Sequence, residues 1–418
     1  MLLFKNATCF TSEKYYKGDV SVADGRVFLS GRSFGKDDIV IDAEHLLLVP
    51  GFADVHVHLR EPGFFYKESI ATGTECGARG GYTALCAMPN LRPVPDSAEH
   101  LAVETDIIRR DARIAVYPYG ALTVDEKGRQ LSDIEGLADN VVAFSDDGRG
   151  VQSAELMEEA MRRVKACGKL IAAHCEDESL LDGGYIHKGA YAAVHGHRGI
   201  SAESEWKMVE RDIALAEKTG VKYHVCHVSC KESVEIIRRA KARGADVTCE
   251  TAPHYLTLTE NDLREDGRFK MNPPLRTAAD RDALIEGLRD GTVDMIATDH
   301  APHSDEEKSR GLKDSLMGVT GLESAFAVLY TDLVLTGGIT LERLLYAMSA
   351  APAKRFGLAG GELRDGGRAD IAVLDLSAEW TVRGRETASK GNSTPFEGKR
   401  VRGRNVMTIF NGDTVWKK

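Results

Sequence analysis

The stretch GFADVHVHLREPG, residues 51–63, contains the features that decide the fold of this chain. Its first part, residues 51–58, is a short and mostly apolar run of strand length that ends in two histidines. Because side chains alternate along a strand, His56 and His58 share one face and the residue between them points the other way. Two imidazoles that share a face at the end of a strand can bind a single metal ion.

Seven further apolar runs follow, and segments with a helical pattern separate them. The helical segments include residues 153–168 and 232–244, the second of which ends at Gly244, a residue typical of helix C-termini. The eight predicted strands are residues 51–58, 82–88, 114–120, 141–146, 170–176, 223–229, 246–254 and 294–300. Strands that alternate with helices in this number favour the α/β class and a parallel (β/α)8 barrel, with an open sheet as the alternative.

The two ends of the chain differ from this middle section. Residues 19–31 and 406–416 alternate in polarity around an Asp-Gly and an Asn-Gly pair, both of which are typical hairpin turns. We therefore expect both termini to build one small sheet domain. The predicted domains are this composite sheet domain, residues 1–50 plus 358–418, and the barrel, residues 51–357.

The composition is that of an ordinary globular protein, since 43% of the 418 residues are hydrophobic and 28% are charged. A net charge of −10 argues against a nucleic-acid partner, which would favour a basic surface. No run of about 18 apolar residues occurs, so we expect no membrane span. Eight scattered cysteines without a C-x-x-C pair, and no signal-peptide pattern, predict a cytoplasmic location.

Metal-ligating residue types stand at the ends of five predicted strands. In a (β/α)8 barrel these ends meet at one face of the barrel, where active sites lie. The residues are His56, His58, Asp146, Asp147, His174, His227 and Asp299. Imidazole and carboxylate groups together suit Zn²⁺, with Mn²⁺, Co²⁺ or Fe²⁺ as substitutes.

Strand geometry narrows some of these choices. His224 and His227 have opposite parity, so only one of them can face the barrel mouth, and His227 lies nearer the strand end. The adjacent Asp146 and Asp147 cannot both point inward from a regular strand, and parity does not choose between them.

Several segments together carry a family resemblance. HVHLREPG at 56–63 and TDHAPH at 298–303 resemble the amidohydrolase superfamily, and further segments narrow the resemblance to the dihydroorotase family. These segments are GGYTALCAMPN, AFSDDGRGVQ, AAHCED, CHVS, KMNPPLR and KGNSTPF. The β-rich ends resemble the long bacterial form, in which both termini build a small β-sandwich domain beside the barrel.

The resemblance implies a centre with two Zn²⁺ ions per chain. The implied ligands are His56, His58 and Asp299 for one ion, and His174 and His227 for the other. Many relatives bridge the two ions with a carboxylated lysine at the end of the fourth strand, where this chain has aspartates. The pattern resembles the branch of the family that bridges with the second aspartate, Asp147, together with a hydroxide.

The implied reaction is the reversible cyclisation of N-carbamoyl-L-aspartate to L-dihydroorotate and water, the third step of pyrimidine biosynthesis. The bridging hydroxide would attack the ring amide, and Asp299 would accept its proton and pass it to the leaving nitrogen. The implied substrate-binding residues are His58, Arg60, Asn90, Asn272, His303, Met317 and Gly318. Arg60 shares a face with His58, and its guanidinium can bind a carboxylate with two hydrogen bonds. Relatives often read A-P-F-G where this chain has SLMG at 315–318, which is its chief departure from the family.

Two other functions are alternatives to this interpretation. The first is a hydantoinase or allantoinase, a cyclic amidohydrolase that usually carries the bridging lysine. The second is an inactive scaffold partner of aspartate transcarbamoylase, which would have lost metal ligands that this chain retains. The expected partners are a small-molecule substrate and either a second copy of the chain or an aspartate transcarbamoylase, with no membrane and no nucleic acid.

Overall fold

The computed structural model describes residues 1–12, 14–29 and 38–418. The described strands are β1 (Leu2–Phe10), β2 (Tyr15–Ala23), β3 (Arg26–Phe28), β4 (Ile39–Asp42), β5 (Leu47–Pro50), β6 (Phe52–Val57), β7 (Tyr82–Ala87), β8 (Ala115–Pro118), β9 (Gly120–Ala121), β10 (Phe144–Ser145), β11 (Leu170–Ala173), β12 (Ile186–His187), β13 (Gly199–Ile200), β14 (Lys222–Val225), β15 (Val247–Thr251), β16 (Met295–Ile296), β17 (Ile371–Thr381), β18 (Arg400–Phe410) and β19 (Asp413–Lys417).

The described α-helices are α1 (Ile70–Gly80), α2 (Ala98–Asp111), α3 (Ile134–Leu137), α4 (Ala154–Ala166), α5 (Ala190–His195), α6 (Glu203–Thr219), α7 (Lys231–Ala242), α8 (Pro253–Thr257), α9 (Ala278–Asp290), α10 (Asp305–Lys308), α11 (Gly311–Asp314), α12 (Ala325–Leu329), α13 (Leu341–Met348) and α14 (Ala350–Phe356). Short 3₁₀ turns lie at Val124–Glu126, Ala138–Asn140, Glu178–Leu180, Glu260–Asp262, Gly267–Phe269 and Gly384–Glu386, and a π-helical turn lies at Tyr330–Val334. None of the helices in these described ranges is long and apolar enough to cross a membrane.

The middle of the chain is a (β/α)8 barrel, as the sequence predicts. Parallel ladders join β6, β7 and β8, and a second set of parallel ladders joins β9, β10, β11, β14, β15 and β16. β8 and β9 are parts of one barrel strand on either side of Tyr119, whose amide donates to Ala87 O at 3.0 Å. Each of the eight predicted strands is therefore present, although the fourth and the eighth keep only two residues each in regular ladders.

The barrel closes between its first and last strands at a buried carboxylate. Asp54, in β6, is completely buried and accepts hydrogen bonds from the Thr298 hydroxyl at 2.6 Å and the His56 amide at 3.0 Å. The Thr298 amide donates to the same carboxylate at 3.1 Å. Just beyond, the His58 amide donates to His300 O at 2.8 Å. This seam places the residues that follow β6 beside those that follow β16.

Strands from both ends of the chain form a second sheet beside the barrel. Its order is β19-β18-β17-β5-β1-β2-β3, with β4 paired to β1, and the two chain ends meet where β5 and β17 run antiparallel. The predicted hairpin turns are confirmed: Asp24-Gly25 joins β2 to β3, and Asn411-Gly412 joins β18 to β19. All four residues have positive φ, as a two-residue turn of this kind requires.

Parts of the predictions for the N-terminal strands lie outside the described residues. These are the last two positions of the predicted 19–31 stretch and residues 13 and 30–37 of the predicted sheet domain. The domain boundaries at 50/51 and 357/358 stay predictions.

The second sheet is anchored to the barrel through α1. Asn405, in β18, is buried, and its Nδ2 donates to the carbonyls of Ala78 and Arg79 at 3.3 and 3.2 Å. The Thr408 hydroxyl donates to the same Ala78 carbonyl at 2.6 Å. Carbonyls in the last turn of a helix have no partner within that helix. The Ala78 carbonyl also accepts from the Gly81 amide at 3.2 Å, so the Arg79 carbonyl is the one that depends on Asn405.

We predict that Asn405→Ala lowers the free energy of unfolding by about 1–3 kcal/mol, because the partly buried Arg79 carbonyl loses its side-chain partner. Chemical denaturation monitored by circular dichroism measures this change. Arg400→Ala, at the exposed start of the same strand, is the control and should change stability by less than about 0.5 kcal/mol. Equal stabilities for the two variants would contradict the anchoring role.

Candidate functional site

The barrel brings six side chains together at the C-terminal ends of its strands. They are the predicted metal ligands His56, His58, Asp147, His174, His227 and Asp299, and all six are buried. Each comes from the end of a different strand except the first two, which both come from the end of β6. Their convergence follows from parallel strands whose carboxyl ends share one face of the barrel.

One group of ligand atoms consists of His56, His58 and Asp299, which all lie within 4.8 Å of one another. Asp299 Oδ1 lies 3.3 Å from His58 Nε2 and 3.6 Å from His56 Nε2. The seam between β6 and β16 holds these residues side by side.

A second group consists of His56, Asp147 and His227, also within 4.8 Å of one another. Asp147 lies between the groups, with Oδ1 at 3.5 Å from His227 Nε2 and Oδ2 at 3.5 Å from His58 Nε2. His174 Nδ1 lies 3.0 Å from His227 Nε2 and 3.8 Å from Asp147 Oδ1. The Asp147 carboxylate thus contacts histidines of both predicted ion sites.

The two adjacent aspartates have different surroundings, which parity did not distinguish. Asp146 accepts hydrogen bonds from the amides of Leu122 and Thr123 at 2.8 and 3.0 Å and from the Thr123 hydroxyl. Burial raises the pKa of Asp146 to about 6, although these hydrogen bonds oppose the rise. Asp146 therefore anchors the loop after β9, and Asp147 is the aspartate that faces the histidines.

The directions of several of these side chains depend on backbone that departs from regular strand geometry. His227 and Asp299 lie just after strands that have already ended, and both have positive φ, of 34° and 49°. The β6–β7 register shifts between Asp54 and Val57, which marks a bulge in the stretch that contains His56. The simple alternation assumed for these strands is consequently broken at the site.

The structure agrees with the choice of His227 over His224 for the barrel mouth, but the strict alternation from which it was argued does not hold. His224 also points into the barrel, where its ring nitrogens lie 2.8 Å from Thr248 Oγ1 and 3.0 Å from Glu250 Oε2. His227 follows the end of β14 and is not bound by the strand's alternation, so both histidines face inward.

The donor set fits a zinc centre. Among the residues that the structure describes, buried atoms without a hydrogen-bond partner include His56 Nε2, Asp147 Oδ1 and His227 Nδ1. Leaving such atoms unpaired in a protein interior is costly, and coordination of a cation satisfies them. Imidazole nitrogens and carboxylate oxygens are the ligands that zinc takes in hydrolytic sites.

The histidines keep the carboxylates charged. Burial opposes ionisation of Asp299, but the hydrogen bond from His58 and the charge of His56 outweigh it and lower its pKa to about 2. In the same way, the charge of His56 and hydrogen bonds from His227 and His56 hold the pKa of Asp147 well below its usual value, against the effect of burial.

A cationic corner lies beside the metal-ligand cluster. Arg60, two residues after His58, has φ of 61°, and its Nε donates to Pro302 O at 3.2 Å. Its Nη2 lies 3.4 Å from Nε2 of His303, which in turn lies 2.8 Å from Met317 O. The structure thus places three of the predicted substrate-binding residues together.

The two predicted asparagines flank the cluster. Asn90 Nδ2 donates to the backbone carbonyl of Asp147 at 2.6 Å and to Glu126 at 3.2 Å. Asn272 Nδ2 donates to Glu176 at 3.1 Å, and it lies 3.5 Å from Nε2 of His174, a predicted ligand. Both amides are therefore held in contact with residues of the cluster.

The loop after the eighth strand is held down by Lys308. Its buried ammonium donates to the carbonyls of Lys270, Leu316 and Gly318 at 3.0, 2.8 and 2.7 Å. The amide of Gly318, one of the predicted substrate-binding residues, donates to Lys270 O at 3.1 Å. The charged run SDEEK at 304–308 is typical of a solvated face, but the structure buries Lys308 within it.

Sequence reasoning missed several residues that build the site. Glu250 is a buried carboxylate inside the apolar run of β15, and this charge in an apolar strand was a signal that could have found it. Asp54 offers the same signal in β6. No sequence signal marks Lys308 as a buried residue, because it stands in a run of charged residues.

The comparisons with known proteins agree with this architecture. The family model described as dihydro-orotase-like matches residues 45–233. A dihydroorotase from Fusobacterium nucleatum is 47% identical over 99% of this chain and 98% of its own length. A dihydroorotase from Bacillus cereus strain AH820 is also 47% identical, over 100% of this chain and 98% of its own.

The chain belongs to the dihydroorotase family. It is accordingly a cyclic amide hydrolase of a metal-dependent superfamily, and the recognised resemblance is confirmed. Among solved structures, an L-hydantoinase (dihydropyrimidinase) from Arthrobacter aurescens matches with a TM-score of 0.89 and 27% identity, over 100% of this chain and 96% of that one. A dihydropyrimidinase from Brevibacillus agri matches with a TM-score of 0.87 at 24% identity, over 99% of this chain and 95% of that one, which shows a shared fold.

We predict that Asp147→Asn lowers the zinc content of the purified protein, because the amide cannot offer a negative oxygen to each group of histidines. Asp146→Asn is the matched control. It should destabilise the loop after β9 and leave the zinc content unchanged. Elemental analysis after dialysis measures the content, and loss of zinc in the control alone would assign the role to Asp146.

Proposed function

We propose that the chain catalyses the reversible cyclisation of N-carbamoyl-L-aspartate to L-dihydroorotate and water, the reaction after which its relatives are named. The observation that carries the proposal is the juxtaposition of Arg60 and His303 with the cluster of histidines and aspartates. A cyclic amide bound at the cluster would present a ring carboxylate to this corner, where a guanidinium can bind it.

We further propose that the cluster binds two Zn²⁺ ions and that Asp147 contacts both. The proposed ligands are His56, His58 and Asp299 for one ion, His174 and His227 for the other, and Asp147 for each. The contacts of Asp147 with both groups of histidines support this arrangement. Bound zinc supplies a water of lowered pKa and a Lewis acid for the amide carbonyl.

The residues of the chain orient the substrate and move one proton. Arg60, His303 and the two asparagines would hold the ring with its amide above the cluster. In hydrolysis a C–O bond forms as water adds to the carbonyl, and the ring C–N bond breaks. The Asp299 carboxylate would take the proton from the attacking water and deliver it to the departing nitrogen, and the steps reverse in cyclisation.

The hydantoinase alternative is less well supported. The solved hydantoinases share the fold at 27% identity or less, whereas full-length dihydroorotases share 47%. A hydantoin lacks a ring carboxylate, so Arg60 would have no charged group to bind in that reaction.

We also propose a cytoplasmic location, which the unpaired state of all eight cysteines supports. Self-association, or association with an aspartate transcarbamoylase, stays a prediction. Sedimentation of the protein alone and mixed with the transcarbamoylase measures it.

We predict ring-opening turnover of dihydroorotate and little or none of hydantoin or dihydrouracil, measured on protein of known zinc content. Arg60→Met should weaken dihydroorotate binding by about 2–5 kcal/mol and leave the zinc content unchanged, because a buried charge pair is lost. Arg149→Met, at an exposed position near the mouth, is the control. Turnover of the neutral rings that is insensitive to Arg60→Met would favour the hydantoinase alternative.

We predict that Asp299→Asn lowers kcat per bound zinc at least about 100-fold, because the amide cannot accept the proton. Turnover and zinc content must be measured on the same preparation, since Asp299 is also a proposed ligand. A variant that keeps near-normal turnover per zinc would show that another group moves the proton.

A further inference from the structure

The buried carboxylate of Glu250 connects three residues inside the barrel. Its Oε1 lies 2.8 Å from His56 Nδ1 and 3.4 Å from the backbone nitrogen of His227. Its Oε2 lies 3.0 Å from His224 Nε2, and the other ring nitrogen of His224 lies 2.8 Å from Thr248 Oγ1. Glu250 therefore contacts two proposed zinc ligands and one histidine outside the centre.

The contact with Glu250 decides which nitrogen of His56 faces the centre. An ionised carboxylate only accepts hydrogen bonds, so His56 Nδ1 carries a proton, and in the neutral ring that binds a metal ion the lone pair is then on Nε2. Nε2 is the atom that lies 3.4 Å from Asp147 Oδ1 and 3.6 Å from Asp299 Oδ1. The carboxylate thus holds the ring in the tautomer and orientation that a metal ion needs.

The same oxygen faces the backbone of a second ligand residue. His227 has φ of 34°, a left-handed conformation that a residue with a side chain adopts only when its surroundings impose it. A carboxylate oxygen opposite its amide favours this conformation. Glu250 can therefore influence one ligand through its ring and the other through its backbone.

We propose that Glu250 is a positioning residue that sets the zinc affinity of the centre through His56. The inference rests on zinc binding by His56, as proposed above, and adds a residue that is not itself a ligand. Both oxygens of Glu250 lie at hydrogen-bond distance from histidine nitrogens, 2.8 Å from His56 Nδ1 and 3.0 Å from His224 Nε2. The Asp147 oxygens instead lie 3.4 Å or more from the histidine nitrogens around them. The alternative role is that of a third ligand group, since His56, Cys226 and Glu250 also lie within 4.8 Å of one another.

The test compares Glu250→Gln and Glu250→Ala with His224→Gln. His224→Gln disturbs the Oε2 side of the carboxylate and leaves the contact between Oε1 and His56 in place, so it is the matched control. The measurements are the zinc dissociation constant of the apoprotein by competition with a chromophoric chelator, the number of zinc ions bound at saturation, and the unfolding midpoint of the apoprotein.

We expect both Glu250 variants to bind two zinc ions at saturation but 10–100-fold more weakly, the range typical for partners of metal-bound histidines. Glu250→Gln should show the smaller loss, because an amide oxygen can still accept from His56 Nδ1. His224→Gln should lower the unfolding midpoint and leave the zinc affinity within about threefold of wild type. If Glu250→Ala does not fold, the comparison of zinc affinity between Glu250→Gln and His224→Gln still tests the inference.

Three results would overturn the inference. Equal losses of affinity in Glu250→Gln and His224→Gln, in proportion to their loss of stability, would indicate a structural role alone. Loss of one whole ion at saturating zinc would make Glu250 a ligand. Unchanged zinc affinity in both Glu250→Gln and Glu250→Ala would show that Glu250 is not a positioning residue. Absence of zinc binding by the wild-type protein would instead overturn the proposed zinc centre itself.

Discussion

The whole site depends on how the barrel closes between its first and last strands. Closure is made by the completely buried Asp54, whose carboxylate accepts hydrogen bonds from Thr298 and from the backbone of His56. Both donors are next to, or part of, the metal-ligand cluster, so the contact that closes the barrel also sets the distance between His56 and Asp299. A shift in this seam would move two proposed ligands relative to each other.

Beside this seam, buried carboxylates face histidines in the interior of the barrel. Glu250 faces His56 and His224, and Asp147 faces histidines from three strands. A buried carboxylate is costly unless it is paired. Glu250 is within hydrogen-bond distance of a histidine through each oxygen, whereas Asp147 Oδ1 lies near histidines but has no hydrogen-bond partner. Glu250 therefore orients the ring of His56, one of the proposed ligands, before a metal ion binds.

Regular secondary structure alone does not build such a site. The strands end before His227 and Asp299, and both residues then take left-handed backbone conformations. A bulge between Asp54 and Val57 interrupts the alternation of β6 around His56. These irregularities let side chains from consecutive strands reach a common point that a strict alternation would not provide.

The sequence by itself determined the eight barrel strands, the two hairpin turns and the residue types at the strand ends, because periodicity and turn chemistry are local. It also indicated the family, through motifs such as HVHLREPG and TDHAPH. Only the tertiary structure decided that Asp147 rather than Asp146 faces the histidines, that His224 points inward, and that Glu250 supports His56. These outcomes depend on contacts between residues far apart in the chain, and no local pattern encodes which of two neighbouring side chains finds its partner across the barrel.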